Sequence, residues 1–476
     1  MKIFMVGSES QPFIKTGGLA DVIYSLSKEI VKEGHDVSIF LPLYQNVKGL
    51  SGLTKITTLT VEVFRSIQEA EILLKEYDNI KFYFVKNDYY FKRDRCYGFD
   101  DDHERFAFFT LACKQFIFSL KKMPDIIHLH DWHVGMLPCL MKEDYFENKK
   151  LKNTKFVYTI HNPAFQGMIE PHFMLELYHL PEHLFTDGAL RFKEQGSTLK
   201  AGIIYADKIT TVSPNHHYEL LTQEGSMGLD GVLRLREYDF SGILNGIDYD
   251  EFNPHTDPCL PLHYNSTNYF RTKVEIKRKL FEQLKIFDYG KPTYSIISRL
   301  TWQKGMDITY GVLEALLELK CNVLVLGSGE YNYEQMMEDL RRRFPKQMAI
   351  YIGYNDELAH QIYASSDYIL IPSLFEPCGL TQMIGHRYGA MPIVRETGGL
   401  KDSVIPYNGE NLEEANGFSF ANYRFEDFKK VCLESFDFWF EFDKRKRLMR
   451  NAMHADHSWK TSAQAYLSLY SQLIRK

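Results

Sequence analysis

The chain has 476 residues, too many for one ordinary α/β core and suited to two large domains. With 45% hydrophobic and 25% charged residues it falls in the globular range, and no apolar run is long enough to span a bilayer. A net charge of −6 argues against a bulk nucleic-acid binder, and seven scattered Cys without a CxxC pair argue for a reducing compartment rather than a disulfide framework or structural zinc.

Strand-like and helix-like runs alternate from end to end, the βαβ signature of parallel sheets. The chain opens directly on a strand, Lys2 to Val6, with no leader expected before it, so a cytoplasmic location is expected. Leu19, Val22, Ile23, Leu26 and Ile30 then mark one face of a helix, closed by Gly34. His35–Leu41 reads as the second strand, and buried strands follow at Asp125–Leu129, Lys155–Ile160 and Lys208–Val212. A turn-rich stretch from Asn245 to Pro254 marks the hinge between two domains. A second series of strands reads as Tyr294–Ser298, Asn322–Leu326, Ala349–Ile352 and Tyr368–Ile371. The expectation is residues 1–244 as one domain and 245–457 as the other, with a last helix over 458–476 packing back on the first. Two doubly wound α/β domains facing a central cleft are the simplest architecture, with ligands at the strands' C-terminal ends.

Several loops at such strand ends carry candidate chemistry. Lys15-Thr16-Gly17-Gly18 leads from the first strand into a helix. Adjacent glycines there admit close backbone approach, and Lys15 adds positive charge for an anion, although a plain tight turn fits the spacing equally well. A second copy of the pattern TGGLxD stands at Thr397–Asp402. Arg299 and Lys304 follow a buried strand and suit a diphosphate on which charge develops; a solvated loop is the competing reading. Glu376 opens a loop, Glu376-Pro377-Cys378-Gly379-Leu380-Thr381-Gln382, in which a carboxylate can hold sugar hydroxyls or simply cap the next helix. His128, His130, Asp131 and His133 raise the question of a metal, but no HExxH-like partner or clustered carboxylates accompany them, and no metal is expected. His161 and Asn162 end another buried strand. The stretch Gly327-Ser328-Gly329 begins like a dinucleotide fingerprint, but Asn332 replaces its third glycine, which sets a dehydrogenase aside.

Taken in order, KTGGLADV (Lys15–Val22), HDWH (His130–His133), HNPAFQG (His161–Gly167), NGID (Asn245–Asp248), SRLTWQKG (Ser298–Gly305), EPCGLTQ (Glu376–Gln382) and TGGLKD (Thr397–Asp402) resemble the bacterial glycogen synthase and plant starch synthase family over nearly the whole chain. The resemblance implies a GT-B glycosyltransferase that moves glucose from ADP-glucose to the non-reducing end of an α-1,4-glucan, glycogen or a malto-oligosaccharide, with retention and without a cofactor. It implies that Lys15, the Gly17-Gly18 backbone, Arg299 and Lys304 surround the diphosphate. Tyr354 would stack on the adenine and Asp21 would contact the ribose. Glu376, His161, Asn162 and Asn245 would line the glucose, with Cys378, Gly379, Leu380 and Thr381 completing the donor site. Asp131 and Tyr97 would stand near the reacting centre. Many retaining relatives place a second Glu eight positions after the first; Ile384 stands there, as in the glycogen and starch synthase branch. No nucleic-acid or membrane partner is expected. Competing readings are a same-fold enzyme using UDP-glucose or a sugar-phosphate acceptor, and a glucan-binding homologue without turnover.

Overall fold

A computed structural model describes residues 1–475. The chain divides into two compact units, one of Met1–Asn245 with the segment from Trp459 onward, the other of Gly246–Ser458.

The first unit is built on a nine-stranded sheet. Its strands are β1 (Lys2–Val6), β2 (Asp36–Pro42), β3 (Thr54–Val63), β4 (Ser66–Tyr77), β5 (Ile80–Lys86), β6 (Ile126–His130), β7 (Lys155–Ile160), β11 (Lys208–Thr211) and β12 (Phe240–Gly242). A separate small sheet joins β8 (Met168–Ile169), β9 (Arg191–Phe192) and β10 (Gln195–Ser197). The large sheet runs β12-β11-β7-β6-β1-β2-β5-β4-β3. From β12 to β5 every neighbour is parallel. Continuous apolar runs such as Ile3-Phe4-Met5-Val6 allow this, because parallel strands are covered on both faces.

The second unit has a six-stranded, all-parallel sheet of β13 (Thr293–Ile297), β14 (Asn322–Gly327), β15 (Met348–Ile352), β16 (Tyr368–Ile371), β17 (Met391–Arg395) and β18 (Phe418–Phe420), in the order β15-β14-β13-β16-β17-β18. Both sheets therefore start in the middle, wind to one side, and return to wind to the other. Their order reverses beside β1 and β6 in the first unit and beside β13 and β16 in the second. Such switch points are where the connections diverge and leave a crevice for ligands.

The end-to-end alternation expected of the chain fails at residues 54–86. There β3, β4 and β5 form an antiparallel meander on the edge of the first sheet. Phe64 turns the first hairpin with φ of 52°, and Asp78-Asn79 turn the second with φ of 49° and 59°. Positive φ at both central residues matches the right-handed twist of the flanking strands, and Asp and Asn tolerate it best after Gly. Elsewhere strand limits differ from expectation by a residue or so: β6 ends on His130, and β13 starts on Thr293.

The helix Gly18–Lys32 buries Val22, Ile23, Leu26 and Ile30, and Gly34 follows its end with φ of 83°. The terminal helix Trp459–Arg475 adds Trp459, Tyr466 and Tyr470 to the core of the first unit. The Ser462 hydroxyl donates to the Leu244 carbonyl at 2.5 Å. In the second unit the entering and leaving segments lie side by side, with Ile247 N–H donating to the His457 carbonyl at 2.8 Å.

Candidate active site

In the second unit, the loops that follow β13 and β16 meet at the switch point. The Leu374 amide donates to the Gln303 carbonyl at 2.9 Å, and the Gln303 side chain donates to the Phe375 carbonyl at 3.3 Å. Gly305 takes φ of 76° and has no room for a side chain against the Pro372 carbonyl, so this crossing of loops requires glycine. The result brings together two residues the sequence placed 72 positions apart. Lys304 Nζ pairs with Glu376 Oε2 at 2.5 Å, and the Ser373 hydroxyl donates to the same oxygen at 3.0 Å. Sequence reasoning had treated this cation and this carboxylate as separate loops. Glu376 is buried, so its charge is compensated by the lysine rather than by water. Arg299 is exposed and donates to the Gln303 amide oxygen at 3.1 Å. A cavity of about 40 Å³ lies beside the pair, lined by Ser298, Lys304, Ser373, Glu376, Gly379 and Thr381.

Cys378 is buried, Gly379 turns with φ of 76°, and Leu380 precedes the short helix Thr381–Arg387. The second TGGLxD segment explains how this loop is held. Cβ atoms on Gly398 or Gly399 would collide with the carbonyl oxygens of Glu376 and Cys378, so the two glycines form a close-packed backing for the Glu376 loop. Tyr354 stands just past β15, three-quarters exposed, with its hydroxyl donating to Asp356 at 3.0 Å.

In the first unit the corresponding loops follow β1, β6 and β7. Lys15 pairs with Asp21 at 2.8 Å, so the residues expected at the diphosphate and the ribose hold one another in this structure. Gly17 precedes the helix without a side-chain cap, and Gly18 is its first residue. Above them lies a residue that the sequence reading missed. Glu9 is buried and accepts the Thr16 amide at 2.5 Å and the Thr16 hydroxyl at 2.7 Å. Burial pushes its carboxyl up to about 7, against the hydrogen bonds from Thr16 and Gly17 that favour the anion. The available signal was a lone Glu among small polar residues just past a buried strand.

Asp131 adopts φ of 60° at the end of β6. Its carboxylate accepts the backbone N–H of His161 at 2.8 Å and of Asn162 at 3.4 Å, tying the ends of β6 and β7 together. Burial raises it to about 7 as well. Tyr97 is half-buried, with its hydroxyl 2.9 Å from that of Ser8. Asn162 accepts from the Ala164 amide at 3.0 Å, and the side-chain oxygen of the buried Asn245 has no hydrogen-bond partner among the described residues. His128 spends both ring nitrogens, on the Tyr470 and Thr159 hydroxyls at 2.6 Å each, which leaves neither for a metal. His130 faces His161. Among the described residues, two groups of side chains with metal-ligand spacing lie elsewhere and share His360: Asp257, Cys259 and His360, and Glu251, Asp356 and His360, with His360 Nδ1 2.7 Å from Asp257 Oδ2.

Two family models cover most of the chain: starch synthase catalytic domain over residues 2–235, and glycosyl transferases group 1 over residues 277–453. Glycogen synthase of Clostridium kluyveri is 42% identical over the whole of both chains, and that of Clostridioides difficile is 41% identical over 99% of this chain and all of its own. The chain belongs to the glycogen and starch synthase family. Among solved structures, the catalytic domain of starch synthase IV from Arabidopsis thaliana, bound to ADP and acarbose, superposes with a TM-score of 0.92 at 31% identity, covering 100% of this chain and 99% of that one. Sucrose-phosphate synthase from Thermosynechococcus elongatus shares the fold alone, at a TM-score of 0.62 and 14% identity. The glycogen and starch synthase family is one of GT-B glycosyltransferases, and the two family models fall one within each of the two α/β units described above. No helix among the described residues is long and apolar enough to cross a membrane.

Proposed function

We propose that this glycosyltransferase carries glucose from ADP-glucose to the non-reducing end of an α-1,4-glucan, with retention of the anomeric configuration and release of ADP, and that it uses no cofactor. The observation that carries the reading is the Lys304–Glu376 pair at the switch point of the second sheet, with Arg299 exposed on the same loop. The ADP and acarbose held by the Arabidopsis relative support the same choice of donor and acceptor class.

In this reading the roles divide by unit. Lys304 and Arg299 hold the diphosphate of the donor, and Lys304 uses one of its three N–H donors on Glu376 and the others on phosphate oxygens. Glu376, Cys378, Gly379, Leu380 and Thr381 hold the glucose and the phosphates, and Tyr354 stacks on the base. From the first unit Lys15, Gly17 and Gly18 serve the diphosphate and Asp21 the ribose, while His161, Asn162 and Asn245 serve the glucose. Asp131 and Tyr97 belong to the reacting centre, Asp131 by fixing the amides of His161 and Asn162.

Hydrolases of glycosides place a nucleophilic or basic carboxylate opposite an acid. Glu9 and Asp131 are buried carboxylates, but each is engaged by loop amides, and Glu376 is engaged by Lys304. These engagements support a route through an oxocarbenium-like state. The bond from the anomeric carbon to the diphosphate breaks, the acceptor hydroxyl adds on the same face, and its proton passes to the departing diphosphate. Incubation with glycogen and either ADP-glucose or UDP-glucose, following nucleotide release and glucan growth together, tests the proposal. Growth much faster with ADP-glucose is expected. Turnover without polymer growth would indicate another acceptor, and preference for UDP-glucose would overturn the donor assignment.

A further inference from the structure

A chain of buried imidazoles runs beneath the His161 loop. β6 and β7 are parallel neighbours, and His128 and His130 project from the same side of β6 with rings 4.2 Å apart. His130 Nδ1 lies 3.0 Å from His161 Nε2. Burial holds His128 and His161 down to about 3 and His130 well below its usual range, so at neutral pH each ring carries a single proton.

The surroundings of His130 decide where its proton sits. His128 is satisfied in either tautomer, because the Tyr470 and Thr159 hydroxyls can each donate or accept. His130 has no such freedom. Among the described residues its buried Nε2 has no hydrogen-bond partner, and its Nδ1 meets only His161. A proton on Nε2 would leave an N–H orphaned in the core, which costs more than a bare ring nitrogen and is rarer in native structures. The proton therefore belongs on Nδ1, donated to His161 Nε2. His161 then accepts at Nε2 and must carry its own proton on Nδ1. The Asp131 carboxylate fixes the same residue through its backbone N–H, so ring and backbone are both held.

We infer that His130 is a positioning residue that locks His161 as the Nδ1–H tautomer, so that the half-buried ring offers the site a hydrogen-bond donor for an acceptor oxygen on the substrate. That the oxygen is one of glucose rests on the function proposed above; the tautomer does not. A metal ligand or general base at His161 would need the opposite arrangement at Nδ1.

Long-range proton–nitrogen correlation spectra of the full chain labelled with 15N-histidine read the tautomer directly, with His161 assigned by its loss in His161→Asn. A protonated Nδ1 and bare Nε2 are expected, and an Nε2–H or doubly protonated ring overturns the inference whatever the activity. His130→Gln keeps an N–H donor facing His161, whereas His130→Met removes it. The Met variant should lose about tenfold or more in kcat/KM and show mixed tautomers, with the Gln variant close to wild type. Equal activity and an unchanged His161 spectrum in the Met variant overturn the role of His130. Absence of transfer from ADP-glucose by the wild type would instead remove the glucose reading and leave the spectrum to be judged alone.

Discussion

Lys304 and Glu376 are bound to one another, and each conditions what a substitution does to the other. Removing the lysine leaves a buried carboxylate uncompensated, which costs on the order of 3 kcal/mol, and removes a donor to the diphosphate, which costs about a hundredfold or more in turnover. Lys304→Ala should therefore lose both stability in urea and kcat. Adding Glu376→Gln should recover most of the stability and none of the activity. Near-normal turnover in the single variant would refute the phosphate role. Glu9 gives a second test at this scale. Its folded pKa, about 7, lies above the ordinary value of a Glu, so the folded state binds the proton more tightly. The stability that this proton contributes is full below the unfolded pKa and is lost as pH rises toward 7. Glu9→Gln removes the titration and keeps an acceptor for Thr16. Its Tm relative to wild type should climb between pH 5 and pH 8, and a flat or falling difference would contradict the burial argument.

At the scale of elements, what could be read in advance was whatever depends on local pattern. β7 and β16 match their expected limits because each is a short apolar run bounded by polar turns. The meander β3-β4-β5 was legible too, in the alternation of Thr54–Val63 and in the Asp78-Asn79 turn, but the expectation of unbroken βα units passed over it. The pairing Lys304–Glu376 was not legible, because it depends on which loops the sheet order brings together, and Lys15–Asp21 and Glu9–Thr16 were not, because they depend on how the one loop after β1 folds back on itself. The same holds for TGGLxD. In both copies the glycines open a helix, and in the second they also pack under the Glu376 loop, a contact that the shared pattern does not announce. Gly399→Ala should push the Cys378 backbone aside, cutting kcat strongly for a loss of about 1–3 kcal/mol in stability. Turnover and urea unfolding together check it; wild-type turnover would show that the loop does not need this backing.

At the scale of the molecule, two sheets that each reverse order at a switch point put most candidate residues on a loop past the C-terminal end of a strand, or on the helix such a loop opens. That common placement, more than any single motif, is why a strand-by-strand reading located the candidate residues. The terminal helix from Trp459 ties the end of the chain to the first unit, with Tyr470 bonded to His128 in the layer below the His161 loop. The residues of both units converge on glucosyl transfer with retention, assisted by cations on the leaving diphosphate. Proton NMR of the product formed from ADP-glucose and a malto-oligosaccharide, with ADP measured in the same tube, tests this most directly. The account predicts a new α-1,4 linkage from the first turnover and one ADP for each glucose added. A β linkage, or free glucose in place of a lengthened chain, would contradict it.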